Sequence, residues 1–142
     1  MLQHLVLAAV LSALSMGSNA AHETPAKVAI SVSNVSPTDG KQTFSSYCAQ
    51  CHGSDGRGGG PVASDLQKPP ADLTRIAKNN GGRFPELQVT SVLESGVPSS
   101  GNHSSQMPVW GPRFARMSHL SPNDRELRIL NLIRYLESIQ VR

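Results

Sequence analysis

The chain has 142 residues, room for one domain, and only 38% of them are hydrophobic and 4% aromatic, with twelve Gly and ten Pro. Its formal charge of +3 is scattered, with no basic block and few aromatic rings to stack on bases, which argues against a nucleic-acid partner. A small domain buries a low fraction of its surface, so a chain this poor in apolar residues fits a fold completed by an apolar cofactor.

Residues 1–20 read as a secretory signal peptide: the apolar run Leu5-Val6-Leu7-Ala8-Ala9-Val10-Leu11 is followed by Ser18-Asn19-Ala20, the small-x-small pattern of a cleavage site. His4 is the only basic residue ahead of that run, so an uncleaved membrane anchor is the competing reading. The run is short against the roughly 20 apolar residues that a spanning helix needs. Residues 21–36 form a polar lead-in without helical or alternating period. A single domain over 37–142 then follows.

Ser36-Pro37-Thr38-Asp39 supplies an N-cap Ser, a Pro at the first helical position and an acid at the third, predicting a helix over 37–47. A Gly/Pro-rich loop over 53–70 leads to a short helix over 71–79, stopped by Asn80-Gly81-Gly82. Another is predicted over 85–94, stopped by Gly96, before a second long loop over 97–112. Ser121-Pro122-Asn123-Asp124 opens the terminal helix, in which Leu127, Leu130, Ile133 and Leu136 form an apolar stripe, with Tyr135 beside it. No strand pattern is visible, and the fold class expected is all-α.

Cys48-Ala49-Gln50-Cys51-His52 is a C-x-x-C-H haem-attachment motif built from the only two cysteines of the chain. Two thiols at this spacing reach the two vinyl groups of one porphyrin, and the adjacent His52 lies under the iron as an axial ligand. Haem c, one group held by two thioethers, is therefore the cofactor expected. The competing readings are a structural disulfide, a thioredoxin-like redox pair, which wants a βαβ setting, and a zinc site. Zinc needs further ligands at suitable spacing, and His103 and His119 do not form such a pair.

The second iron ligand must come from far along the chain, and the candidates are Met107, Met117, His103, His119 and His22. Met107, in Met107-Pro108 between the third helix and the last, is the expected one; a thioether favours ferrous iron, and His/Met ligation raises the reduction potential. Met117 reads as a packing residue. His103 is the rival, and would give a bis-His haem of lower potential.

At these residues the sequence resembles the class I cytochrome c family, and the likeness covers nearly all of 37–142. It is carried by Gly40 and Phe44, the motif at 48–52, Gly58 to Pro61, Met107-Pro108, and Tyr135-Leu136. Met107-Pro108-Val109-Trp110-Gly111 and Pro69-Pro70-Ala71-Asp72-Leu73 are similar to a subgroup of small bacterial monohaem cytochromes. The resemblance implies four or five helices around one haem, with the first and last crossing where Gly40 lets them approach and Phe44 and Tyr135 pack nearby. It implies that the Pro61 carbonyl accepts a hydrogen bond from His52, which makes Pro61 a cofactor-binding residue. Trp110 is expected near a propionate or in the seam between loop and haem.

The function expected is periplasmic electron transfer between redox partner proteins, with no bond made or broken and no catalytic residue. Two alternatives stand beside it. One is a haem sensor or enzyme with a labile sixth ligand; the other is a haem-bearing subunit of a larger membrane-associated respiratory or dehydrogenase complex.

Overall fold

The structure is a computed structural model that describes residues 35–98, 106–117, 121 and 123–141. The expected signal peptide and most of the lead-in lie outside the described residues, as do His22, His103 and His119. Val35, at the end of the expected lead-in, is buried.

Among the described residues the secondary structure is entirely helical, as the patterning predicts. Four helices have eight residues or more: α1 (Gly40–Tyr47), α4 (Glu86–Ser95), α5 (Trp110–Met117) and α6 (Asp124–Ser138). Two are single turns, α2 (Ala49–His52) and α3 (Ile76–Asn79), and short 3-10 turns form at Ala63–Asp65 and Leu73–Arg75. No helix among the described residues is long and apolar enough to cross a membrane.

The start of α1 differs from expectation. Ser36-Pro37-Thr38-Asp39 forms a turn closed by the Asp39 N–H on the Ser36 carbonyl, 3.2 Å. Asp39 is the true N-cap, its carboxylate accepting from the Gln42 N–H at 2.8 Å. A carboxylate able to take an orphan amide of the first turn thus starts the helix three residues later than Ser36 would.

Helix α1 packs on α6, and Gly40 makes the approach close. A Cβ on Gly40 would fall on the Asn131 carbonyl, so any side chain there would push the two helices apart. One turn on, Phe44 meets Tyr135 with ring centroids 5.3 Å apart, and Asn131 Nδ2 donates to the Pro37 carbonyl at 3.2 Å. The helix crossing implied by the family resemblance is therefore present.

The buried face of α6 is Arg128, Ile129, Leu132, Ile133 and Leu136, whereas Leu130 is 36% exposed. The stripe drawn through Leu127, Leu130, Ile133 and Leu136 is corrected accordingly. Steps of three lag a helical turn of about 3.6 residues, which carries Leu127 and Leu136 to opposite sides. The 129, 132, 133, 136 set keeps one face.

The loop expected over 97–112 contains the start of α5, which the sequence reading missed. Trp110, Gly111 and Phe114 of α5 are buried, and Trp110 stacks on Phe114 at 5.2 Å. Beyond α6, the C-terminal segment ties down the middle of the chain. Gln140 accepts from the Ala77 N–H at 2.8 Å and donates to the Leu73 carbonyl at 2.7 Å, and the Val141 N–H donates to the Thr74 carbonyl at 2.8 Å.

Candidate functional site: a haem-sized cavity

Helix α1 hands over to α2 at Cys48. The Cys48 N–H donates to the Phe44 carbonyl, and the Cys48 carbonyl accepts from the N–H groups of Cys51 and His52, at 3.2 and 2.9 Å. This single turn places Cys48, Cys51 and His52 in the wall of one cavity of about 680 Å³. Met107, 55 to 59 residues further on in sequence, lines the same cavity.

The other walls are mostly apolar. Val89, Val92 and Leu93 come from α4, Trp110 from α5, Leu132 and Leu136 from α6, and Leu66, Pro69, Leu73 and Ile76 from the middle of the chain. The volume lies within the roughly 300–1,000 Å³ of cofactor pockets. An apolar space of this size in so small a domain, with two thiols, an imidazole and a thioether in its wall, fits an iron porphyrin.

His52 has a defined tautomer. Its Nδ1 lies 2.9 Å from the Ala71 carbonyl oxygen. A carbonyl can only accept, so Nδ1 carries the proton and donates, which leaves the Nε2 lone pair for a metal. The fold delivers that carbonyl through two close approaches. The Leu73 N–H donates to the Gly56 carbonyl at 2.7 Å. Gly58, at φ +93°, lies so near the Pro70 carbonyl that a Cβ would collide with it.

Ala71 immediately precedes an N-cap. Asp72 accepts from the Thr74 hydroxyl at 2.6 Å and the Thr74 N–H at 2.9 Å. The Thr74 hydroxyl is the main reason the Asp72 carboxyl is held below its ordinary range. A residue just outside a cap keeps a carbonyl that the helix does not use.

This arrangement corrects the expectation for Pro61. The Gly60 N–H donates to the Cys51 carbonyl and the Val62 N–H to the Gln50 carbonyl, both at 3.0 Å. These bonds fold 60–62 back against the end of α2. Pro61 therefore borders a separate shallow hollow with Ser45, Ala49 and Gln50, and neither lines the cavity nor accepts from His52.

Burial pushes the Cys48 thiol up to about 12, and the neighbouring Cys51 sulfur adds to the rise. Among the described residues, no three His, Cys, Asp or Glu side chains are grouped to hold a metal ion.

Of the remaining candidates, Met117 packs against the hydrophobic core and does not line the cavity. Trp110 lines the cavity and is 8% exposed, with Tyr47 at 5.8 Å and Phe114 behind it. Two residues that sequence reasoning passed over also shape the site. They are Ala71, through its carbonyl, and Gln106, through a bond to the Gln67 backbone at 2.7 Å. The cap signal at Asp72-Leu73-Thr74 could have pointed to the first; no local pattern marks the second.

A family model described as cytochrome C oxidase, cbb3-type, subunit III matches residues 35–119, more than half of the chain. No curated protein and no solved structure matches it. The matched span contains the C-x-x-C-H turn, the Ala71 carbonyl and Met107, and on that match the chain belongs to this family and is a haem-bearing, electron-transferring c-type cytochrome.

Proposed function

We propose that the protein is a periplasmic electron carrier with one haem c, whose iron is held by His52 and Met107. The observation that carries this reading is the convergence of Cys48, Cys51, His52 and Met107 on a single, mostly apolar cavity. When bound, haem supplies a one-electron ferric/ferrous couple. The chain's own part is to hold and tune. Cys48 and Cys51 supply the thioether sulfurs. Ala71 fixes the proton on His52 Nδ1 and strengthens Nε2 as a donor.

Leu93, Leu132 and Leu136 make that part of the cavity wall apolar, and low polarity there favours the state of lower charge. With a neutral thioether as the second ligand, both effects act to raise the potential. The reading is of a carrier rather than an enzyme: the site serves an electron, not a substrate bond. Secretion follows from the signal-like segment at 1–20, and covalent attachment retains haem where lost cofactor cannot be recovered.

The test uses the full-length chain matured in cells with periplasmic haem-attachment machinery. Denaturation-resistant, low-spin haem with the ferric near-infrared band of methionine-to-iron charge transfer is expected. Met107→Ala should abolish that band, lower the reduction potential and raise affinity for added imidazole by more than about tenfold. A variant that keeps the parent's band and potential would remove Met107 from the iron.

The description of the matched family favours a second reading, a haem-bearing subunit of a membrane-associated respiratory complex. Copurification with membranes, lost on deleting residues 21–35, would select it over a free shuttle.

A further inference from the structure

The segment that carries Met107 is fixed at both ends. On one side Trp110 is buried and stacked on Phe114 at the start of α5. On the other, the backbone N–H of Gln67 donates to Gln106 Oε1 at 2.7 Å, across 39 positions of sequence. Gln67 and Gln106 are both exposed and both line the rim of the cavity that Met107 enters.

A short bond between exposed groups adds little to global stability, because water replaces it easily when it opens. Its effect is local. It joins the Met107 segment to the 66–69 segment, which forms another part of the same rim, and so restricts the path by which Met107 could swing out.

We infer that Gln106 is a positioning residue: by accepting from the Gln67 N–H it holds the neighbouring Met107 in the cavity and keeps the iron's sixth position closed. The inference rests on Met107 being the ligand. It assigns to Gln106 an acceptor's role, which a carboxylate can fill and an aliphatic side chain of similar length cannot. The backbone donor at Gln67 is independent of that residue's side chain, so the clamp depends on position 106 alone for its specificity.

The experiment uses the full-length holoprotein as Gln106→Leu, Gln106→Glu and Met107→Ala, with imidazole as the probe for the ferric sixth position. Gln106→Leu should bind imidazole roughly fivefold more tightly than the parent, the population shift that one modest hydrogen bond supports. Gln106→Glu should stay within about twofold. Amide hydrogen exchange at Gln67 should accelerate in the leucine variant and remain slow in the glutamate variant, a readout that does not depend on iron. The inference is overturned if Gln106→Leu leaves imidazole affinity at the parent value while Met107→Ala raises it; ligation by Met107 then stands and the clamp falls. It is also overturned if the leucine and glutamate variants behave alike. If Met107→Ala itself binds imidazole no better than the parent, ligation and clamp fall together.

Discussion

Among individual residues, the buried Arg128 is the hardest to place by charge alone. It is 5% exposed on the inner face of α6, with its guanidinium carbon 5.6 Å from the Phe114 ring centroid. Its Nη1 reaches Thr43 Oγ1 only at 3.5 Å, and its Nε has no hydrogen-bond partner among the described residues. A desolvated cation–π contact contributes about 2 kcal/mol, while an unsatisfied buried donor costs about 1–3 kcal/mol. These terms nearly cancel. Replacing the charge while keeping the chain over Phe114, as in Arg128→Met, should therefore change the unfolding free energy of the holoprotein by no more than about 1 kcal/mol. Urea denaturation checks this, and a loss above about 3 kcal/mol would show that the charge is matched and required. At this scale the sequence is informative where chemistry resides in side-chain identity: Cys48, Cys51, His52 and Met107 are legible as candidates, and all four line the cavity. Ala71 is not legible, because a backbone carbonyl is common to every residue. Only the path of the chain from Gly58 through Asp72 distinguishes it from the carbonyl of Pro61.

The elements follow a similar division between local chemistry and tertiary placement. Stops are readable, since Gly96 ends α4 and Asn80-Gly81-Gly82 ends α3, whereas the start of α1 is not, because Asp39 rather than Ser36 caps it. Helix α5 was hidden because Gly111 and Pro112 fall in its first turn and read as loop residues. What holds α5 is burial of Trp110 and Phe114, a tertiary cause. The crossing of α1 and α6 gives the sharpest test of an element. Gly40→Ala gains at most about 1 kcal/mol of helix propensity, but its Cβ meets the Asn131 backbone, which cannot yield as a flexible side chain would. Overpacking of this kind costs about 1–3 kcal/mol, so a net loss of about 1–2 kcal/mol is expected in chemical denaturation of the holoprotein. A more stable alanine variant would mean that the helices do not cross at this residue.

For the molecule as a whole, the composition that seemed short of core and the cavity that runs through the fold describe one property. Phe44, Leu93, Trp110, Phe114, Leu132 and Leu136 form a single buried cluster, and four of them also line the cavity: Leu93, Trp110, Leu132 and Leu136. Each of these four is buried by its neighbours and still turns part of its surface to the cavity. Empty space costs about 24 cal/mol per Å³ in a closed core, so 680 Å³ sets an upper bound on the order of 16 kcal/mol. Water entering from the rim lowers the figure, yet even half of it matches the 5–15 kcal/mol by which ordinary domains are stable. The haem-free chain should accordingly be largely unfolded at room temperature. Cys48→Ser/Cys51→Ser protein prepared without haem should show weak helical circular dichroism and no cooperative thermal transition, whereas the holoprotein melts sharply. A cooperative, helix-rich melt of the haem-free variant would mean that α1, α4, α5 and α6 bury enough of one another to fold alone; the cavity would then be a preformed pocket rather than the missing part of the core.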